Sequence, residues 1–454
     1  MENKRNVKKL PSHNFSLSHI LNHQKNKTMR FSAFLFMTAA VAFASAATTD
    51  DENNNNVQDN QPSSNLRRKA YILPEKKEKV RVFVQYKPGR KTQARSLLNR
   101  RSSTTKMLYD FTDLDSFVVT TDQEGLAELK ANPDIENIIN DEKRYPQYMK
   151  DSVRPRKLQA NNGQTIPEGI NLVNAPEVWP ISTGKGVKVC VIDTGIDAEH
   201  EDFATDLLTG LEGIQGLPWD TDAVGHGTHC SGTIAATDDN KGVVGVAPDA
   251  AIHTVRVFGD NGGFAYSSGL VDAALQCEAA GARIISMSLG GPVPNIMEFL
   301  SFRNLYNRGI LTVAAAGNSG NFLFSFPASY SGVMSVAATD FELNKAPFSQ
   351  FNFQVDIAAP GVDVLSTFPT NAPCSICEAI GEYQYGTISG TSMATPHVAG
   401  VAALIWSAFP DLTAEELTDV LEQSATDLGS PGKDNRFGWG LVNAAAAFQY
   451  LNGN

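Results

Sequence analysis

Three long apolar segments in the middle of this 454-residue chain constrain its fold more than any other feature. They span residues 186–193 (GVKVCVID), 282–291 (ARIISMSLGG) and 309–318 (GILTVAAAGN), and few polar residues interrupt them. Such runs are typical of parallel strands that are buried on both faces. Helical stretches lie between them, as at residues 266–280, so we predict an α/β domain with a doubly wound, mostly parallel sheet flanked by helices. This domain should span residues 163–454, with its active site at the carboxyl ends of the strands.

A smaller unit is predicted before this domain, at residues 78–145. Its alternating and amphipathic segments follow the order strand, helix, strand, helix, strand, which indicates a small α+β domain with helices on one sheet face. The predicted strands are residues 80–86, 115–121 and 135–139, and the predicted helices are residues 91–100 and 124–133. Residues 146–162 form a basic linker with Arg154, Arg156 and Lys157, and exposed linkers of this kind are cut by proteases.

The N-terminal region carries the pattern of an export signal. Met29 and Arg30 precede an apolar run at residues 31–43, and Ala-Ser-Ala follows at residues 44–46. A basic start, a short apolar run and such a cleavage site predict a signal peptide at residues 29–46. Residues 1–28 are then an extra or untranslated extension, and the polar residues 47–77 are expected to be disordered. We expect secretion without a stable membrane anchor; delivery to a vacuole fits the same signal.

The charge of the chain is unevenly distributed. Residues 158–454 hold 10 Lys and Arg against 31 Asp and Glu, whereas residues 1–157 hold 28 against 18, which gives net charges of −21 and +10. The total of −11 argues against nucleic acid as a main partner. A basic front and an acidic body should attract each other, although an acidic surface also simply favours solubility.

Three short motifs bring together the groups needed for nucleophilic catalysis. Asp193 ends a predicted buried strand in VIDTGID, His226 begins a predicted helix in GHGTHCSGT, and Ser392 begins a long apolar helix in SGTSMATPHVAG. A serine hydroxyl needs a base, and an imidazole base needs a carboxylate that orients it. The Ser392 backbone N–H at the helix N-terminus and the Asn318 side chain would stabilise the oxyanion. Asp, His and Ser also serve often as turn or cap residues, but the three motifs together favour catalysis.

These motifs, with SLGG and AAAGN, resemble those of the subtilisin family of serine proteases, nearest to its subtilisin and proteinase K branches. The resemblance covers residues 164–448, and the order Asp, His, Ser matches the family. Ser392 lies in GTSMA and not in GxSxG, which argues against an esterase. The resemblance implies an endopeptidase that cleaves polypeptides and is made as a zymogen. Its front domain would be a propeptide that acts as an intramolecular inhibitor, and the enzyme would be a monomer.

The resemblance also implies a substrate cleft between two edge strands, to which a peptide adds as a strand. Alanine and glycine would line the pocket for the residue before the cut. Since this pocket contains no acidic residue, we expect a broad preference for apolar or aromatic residues and not for paired basic ones. The Phe326–Pro327 peptide bond is expected to be cis. The cleft residues implied by the resemblance are Gly262, Gly263, Phe264, Ser288, Leu289, Gly290, Gly291, Ala315 and Gly317.

A structural calcium site is implied by a separate part of the resemblance. The segment at residues 237–248 (TDDNKGVVGVAP) has the length of the family's calcium loop. Side-chain and carbonyl oxygens of this kind suit Ca²⁺, although acidic loops are often only solvated turns. No catalytic cofactor is implied. The implied ligands are Gln164, Asp202 and Asp239, with the carbonyl groups of Thr237, Lys241 and Val243.

Several features remain open at this point. The maturation cut is expected between Met149 and Asn162, since Gln164 must stay in the mature chain if it binds calcium. The insertion at residues 370–385 brings a lone CxxC pair, Cys374 and Cys377, which could bond to each other or reach another loop. The alternative functions are a processing protease with a narrow target and a catalytically silent homologue that acts as a binding protein.

The other cysteines and two further histidines have weaker predictions. Cys230 should be buried and unpaired, as in the proteinase K branch, and a Cys190–Cys277 bridge is conceivable although the positions are shifted relative to the family. His229 and His397 lie in the catalytic motifs, and we interpret them as packing residues.

Overall fold

The computed structural model describes residues 78–99, 104–156, 158, 163–213, 216–370 and 384–453. The predicted N-terminal extension, signal peptide and polar segment lie outside the described residues, as do Cys374, Cys377 and most of the insertion. Among the helices of the described ranges, none is long and apolar enough to cross a membrane.

The front domain is a four-stranded antiparallel sheet with two helices. Its strand order is β2-β3-β1-β4, and its core includes Val82, Val84, Phe117, Val119 and Leu129. This fold agrees with the predicted α+β unit, but it has one strand that was not predicted, and the first helix ends at Arg95 and not at residue 100. The elements are β1 (Val80–Tyr86), α1 (Lys91–Arg95), β2 (Lys106–Phe111), β3 (Ser116–Thr121), α2 (Gln123–Ala131) and β4 (Ile135–Asn140).

Two short strands lie at the end of the front domain and within the linker. They are β5 (Lys143–Pro146) and β6 (Arg154–Pro155). Each pairs with strands of the following domain and belongs to a different small sheet. Their positions on these two sheets determine what lies in the cleft described below.

The body of the protein is a seven-stranded sheet with every adjacent pair parallel, in the order β15-β14-β13-β11-β7-β9-β8. The predicted α/β fold with a mostly parallel sheet is therefore confirmed. Its strands are β7 (Lys188–Asp193), β8 (Leu208–Leu211), β9 (Ala251–Arg256), β11 (Ile284–Met287), β13 (Leu311–Ala315), β14 (Val333–Thr339) and β15 (Ile357–Pro360). The body has four further strands in its described part, and they lie outside this sheet: β10 (Ala265–Tyr266), β12 (Leu289–Gly290), β16 (Val364–Thr367) and β17 (Tyr385–Ile388).

Helices flank the central sheet. One of them, α7, is buried along nearly its whole length, as its apolar sequence predicts. The helices of the body are α3 (Glu168–Leu172), α4 (His226–Ala235), α5 (Ser267–Ala279), α6 (Ile296–Asn307), α7 (Thr391–Ala408), α8 (Ala414–Gln423) and α9 (Ala444–Asn452). Short 3₁₀ helices lie at Ser96–Asn99, Thr112–Leu114, Lys150–Ser152 and Thr205–Leu207.

The front domain packs its sheet against helices α5 and α6. Phe83 and Val118 of the front domain share a buried apolar cluster with Val271 of α5 and Met297 of α6. Asp141, which follows β4, caps α5 by accepting from the Ser268 backbone N–H at 2.8 Å. A carboxylate at a helix N-terminus satisfies otherwise unpaired N–H groups and is favoured by the helix dipole. The front domain thus docks through both apolar and charged contacts.

Candidate active site

Asp193 and His226 form a buried pair at one edge of the sheet. Asp193 is the last residue of β7 and His226 is the first residue of α4, so the strand end and the helix start meet. The Nδ1 atom of His226 lies 2.7 Å from Oδ1 of Asp193, and both side chains have no solvent exposure. His226 Nε2 has no hydrogen-bond partner among the described residues. The carboxylate therefore holds one ring nitrogen and leaves the other available for proton transfer.

Ser392 lies in the first turn of α7. Four residues later Pro396 has no backbone N–H, so the carbonyl group of Ser392 lacks its usual helical donor. The hydroxyl of Ser288 replaces that donor at 2.8 Å. The Ser392 hydroxyl in turn donates to the carbonyl oxygen of Ser288 at 2.9 Å. The Ser392 hydroxyl is therefore bonded to Ser288 in this structure and not to His226, whose Nε2 atom has no partner among the described residues.

Asn318 has one end of its amide fixed and the other end free. Its Oδ1 atom accepts from both the backbone N–H and the hydroxyl of Thr391, each at 2.9 Å. Its Nδ2 atom is buried and has no partner within the described part of the chain. That atom points toward Gly390, where an added Cβ would lie 3.3 Å from it. The amide is therefore oriented as a donor next to the N-terminus of α7.

The linker runs through this site. The carbonyl oxygen of Gln147 accepts from the backbone N–H of Ser392 at 3.1 Å, and the N–H of Gln147 donates to Ser288 at 3.1 Å. An added Cβ at Gly390 would lie 2.7 Å from the same Gln147 oxygen, so glycine there permits a close approach. The Gln147 carbonyl oxygen is thus bonded to the helix N-terminus, and it lies on the same side of Gly390 as the Asn318 Nδ2 atom, to which it is not bonded.

The two residues that follow Gln147 also contact the catalytic domain. The ring of Tyr148 packs against the His226 ring, with centroids 4.9 Å apart and the two planes tilted by 35°. The backbone N–H of Met149 donates to the carbonyl oxygen of Ser389 at 2.8 Å. Burial, together with the nearby charges of Asp193 and Asp222, raises the pKa of Tyr148 to about 12. The Gln147–Tyr148 peptide bond therefore has the serine on one side and the histidine on the other.

The predicted cleft strands lie around this segment, with one shift. β5 pairs antiparallel with β12, which contains Leu289 and Gly290, as expected for that edge. On the other edge the partner is Ala265–Tyr266 and not the predicted Gly262–Phe264. Gly262 and Gly263 instead form a turn in which their N–H groups bond to Gly259 and to the Asn261 side chain.

The remaining cleft residues contribute walls. The Phe264 ring contacts the Lys143 ammonium group at 4.1 Å, so it lies beside β5 although it does not pair with it. Ala315 ends β13, and Gly317 has a φ of 106° and no room for a side chain next to Gln350. Gly291 bonds through its backbone to Phe326, and the Phe326–Pro327 bond is cis as expected.

Most of the predicted calcium ligands lie close together. The Gln164 amide bonds to the carbonyl oxygens of Thr237 at 2.5 Å and Val243 at 2.9 Å. The Asp202 carboxylate accepts from the backbone N–H of Val243 at 2.8 Å. Burial chiefly, with the nearby charges of Glu201 and Asp239, raises the pKa of Asp202 to about 7. A buried carboxylate beside gathered carbonyl oxygens fits an oxygen-binding cation such as Ca²⁺.

The other two predicted ligands lie at the exposed end of this group. The Asp239 carboxylate accepts from the Lys241 backbone N–H at 3.1 Å and lies 3.5 Å from the Lys241 ammonium group. The Gln164 amide presents Nε2 to the two carbonyl groups, and a half-turn of the amide would present its oxygen to a cation instead.

The three cysteines of the described residues and the two further histidines are buried structural groups. Cys190 and Cys277 form a disulfide between β7 and α5. Cys230 is free and buried beneath the site, with its Sγ atom 3.7 Å from the carbonyl oxygen of Ser392. His229 and His397 are fully buried, bond to backbone carbonyl groups, and have pKa values lowered by burial to about 3 and about 4.

An α/β sheet with a buried carboxylate–imidazole pair and a helix-start serine at its edge is the arrangement found in serine hydrolases. Comparison with known proteins agrees with this class. The model of the Subtilase family matches residues 184–440, and the chain belongs to that family. The predicted family and enzyme class are confirmed.

Individual relatives are similar over the same region. Subtilisin DY of Bacillus licheniformis is 40% identical over 63% of this chain and 100% of its own length. Subtilisin BL of Lederbergia lenta is 42% identical over 63% of this chain and 99% of its own length. Among solved structures, fervidolysin from Fervidobacterium pennivorans, a keratinolytic enzyme, matches with a TM-score of 0.69 at 26% identity, covering 83% of this chain and 62% of that one.

Proposed function

We propose that Asp193, His226 and Ser392 are the catalytic triad of this endopeptidase. His226 Nε2 accepts the hydroxyl proton as Ser392 Oγ bonds to the carbonyl carbon of the substrate. The C–N bond then breaks, and His226 returns the proton to the leaving amine. A water molecule, deprotonated by the same nitrogen, hydrolyses the resulting ester and frees Ser392. Asp193 stays ionised throughout and stabilises the imidazolium.

The oxyanion of each tetrahedral intermediate is stabilised by two donors. One is the backbone N–H of Ser392, and the other is Nδ2 of Asn318. The Gln147 carbonyl oxygen already accepts from the first donor at 3.1 Å, which supports this assignment. Because both donors are fixed before the reaction, little reorganisation is needed as charge develops.

The first substrate of the enzyme is its own chain, at the Gln147–Tyr148 bond. The single observation that carries this proposal is the Gln147 carbonyl group at the N-terminus of α7, with Tyr148 against the His226 ring. The bond lies just before the region between Met149 and Asn162 where sequence reasoning placed the cut. The front domain is then a propeptide, and its strand β5 blocks the cleft as an inhibitor until it leaves. We propose a secreted, monomeric enzyme made in this zymogen form.

N-terminal sequencing of the freshly processed protein tests the cut. We expect a new N-terminus at Tyr148, because this is the only bond flanked by both Ser392 and His226 in the described part of the chain. A second, later cut that leaves Gln164 in place is compatible with this order of events. A first product that begins anywhere after Met149 would contradict the assignment. Pro146→Ala, one residue farther from the bond, should leave the position of the cut unchanged.

We also propose that the Gln164 and Asp202 group holds a structural Ca²⁺ with Asp239 and the carbonyl oxygens of Thr237, Lys241 and Val243. The ion would neutralise the buried Asp202 carboxylate and fix the loop after α4, the helix that carries His226. It takes no part in bond cleavage.

Chelation of calcium should therefore lower the melting temperature of the mature enzyme. With free calcium at 100 times its dissociation constant, binding stabilises the fold by about 2.7 kcal/mol, which corresponds to a shift of about 5 °C or more for a domain of this size. Calorimetry with and without EDTA measures the shift. Asp202→Asn should lose most of it, whereas Asp363→Asn, away from the group, should keep it. Equal melting temperatures in calcium and in EDTA would contradict the proposed calcium site.

A further inference from the structure

An arginine of the segment in the cleft is buried against a glutamate of the catalytic domain. Arg144 Nε lies 3.1 Å from Oε1 of Glu298, and Arg144 Nη2 lies 2.5 Å from Oε2. Both side chains have no solvent exposure. Two parallel bonds between a guanidinium group and a carboxylate combine strength with geometric selectivity. The pair is therefore a specific contact and not an incidental surface ion pair.

The pocket around Glu298 belongs to the catalytic domain. Glu298 lies in the first turn of α6, where Asn295 caps the helix and accepts from the Glu298 backbone N–H at 3.2 Å. The hydroxyl of Tyr330 donates to Glu298 Oε2 at 2.7 Å. A negative charge is favoured at this end of a helix. Residues of the catalytic domain thus orient the Glu298 carboxylate, and this orientation does not depend on which side chain enters the pocket.

Access to the pocket depends on a glycine of the cleft. An added Cβ at Gly291 would lie 3.2 Å from Nη1 of Arg144 and 2.5 Å from the carbonyl oxygen of Lys143. The second distance is too short for any real contact, so a larger residue would displace the strand. Gly291 therefore allows both the backbone and the arginine side chain to lie close to the wall.

Backbone pairing decides which residue of a peptide enters this pocket. Arg144 pairs with Ala265 of β10, and the next residue, Tyr145, pairs with Gly290 of β12. These hydrogen bonds involve main-chain atoms and do not depend on side chains. Counting Gln147 as the first residue before the cut, Arg144 is the fourth. A polypeptide substrate in the same strand would place its own fourth residue against Glu298.

We infer that Glu298 makes this enzyme select polypeptides with arginine as the fourth residue before the cleaved bond. The inference rests on the proposed function, because it takes Gln147–Tyr148 as the bond presented to Ser392. An apolar residue in the pocket would leave the buried carboxylate without its ion-pair partner, which is costly. Lysine would supply a charge but only one point of contact. The neutral pocket considered in the sequence analysis holds a different residue, the one directly before the cut.

Peptide hydrolysis by the mature enzyme tests the inference. Two internally quenched peptides copy residues 141–152 and differ only at position 144, which is arginine in one and leucine in the other. We expect kcat/KM to be about 30-fold or more higher for the arginine peptide, as is typical for the loss of one partner of a buried, hydrogen-bonded charge pair. Glu298→Gln should bring the ratio close to one. The matched control Glu342→Gln, in an exposed turn, should keep the wild-type ratio.

Two outcomes would overturn the inference: equal kcat/KM for both peptides with the wild-type enzyme, or an undiminished arginine preference in Glu298→Gln. If Glu298→Gln fails to mature because Arg144 loses its partner, the double variant Arg144→Leu/Glu298→Leu removes both charges and supplies the enzyme. It should prefer the leucine peptide, and an arginine preference there would equally overturn the inference. Failure of the proposed function is distinguishable, since the wild-type enzyme would then cut neither peptide between glutamine and tyrosine.

Discussion

Replacement of Ser392 by alanine is expected to leave the precursor uncut and to lower kcat by about 2 × 10⁶-fold, the loss seen when a subtilisin is deprived of its nucleophile. We expect so large an effect because, in the proposed mechanism, Asp193 and His226 act only through the serine oxygen. Electrophoresis of the purified protein reports self-cleavage, and hydrolysis of a peptide added in trans reports turnover. The front domain should remain attached in every molecule.

A matched serine keeps this experiment specific. Ser231 is also buried in a helix of the catalytic domain, and its hydroxyl has no partner among the described residues. Ser231→Ala should mature at a normal rate and should react with a fluorophosphonate probe, whereas Ser392→Ala should not react. Normal self-cleavage by Ser392→Ala would assign the nucleophile to another residue.

Replacement of Asn318 by leucine should lower kcat by about 10²–10³-fold with little change in KM, as for loss of one oxyanion donor in a subtilisin. The reason is that the free Nδ2 atom contributes mainly once negative charge develops on the substrate oxygen. Leucine has a similar volume but no donor. Steady-state kinetics with a peptide substrate separates kcat from KM.

Asn318 also bonds to Thr391 through Oδ1, so a structural contribution must be measured separately. Thermal unfolding of the Asn318→Leu protein reports that part, since a loss of helix anchoring would lower the melting temperature. Asn318→Asp keeps the acceptor for Thr391 but replaces the donor by a negative charge, and it should be as slow as Asn318→Leu. An unchanged kcat in both variants would remove Asn318 from the oxyanion site.

The parts of the fold that the sequence predicted are those with a strong local signal. The apolar runs that contain β7, β11 and β13 are buried on both faces, and that requirement is visible in their composition. Strand β2 (KMLYDF) lacks this signal, because it is largely half-buried and its pattern does not alternate clearly. Strand β5 forms by pairing with β10 and β12, which are more than 100 residues away in sequence, so no local pattern predicts it.

The residues of the candidate site also fall into those with a local sequence signal and those whose position depends on distant parts of the chain. Asp193, His226 and Ser392 could be named because each lies in a contiguous motif whose glycines and small residues belong to the same local structure. The cut proposed after Gln147 could not be predicted from the sequence, since the register of β5 on β12 decides which carbonyl group reaches Ser392. The role proposed for Glu298 could not be predicted either: a glutamate on a surface helix normally faces solvent, and only the packing of Arg144 and Tyr330 around it reveals a pocket.

Strands β5 and β6, on either side of the proposed cut, belong to two different small sheets. Cutting the chain and releasing the front domain are therefore separate events. If the proposed cut at Gln147–Tyr148 is made, β5 is still paired with β10 and β12, and β6 is still paired with β17. Each new chain end would then stay attached to the body through its own main-chain hydrogen bonds. A newly cut molecule would consequently remain inhibited, and the lifetime of these strand pairings would set the delay between the cut and the first attack on another protein.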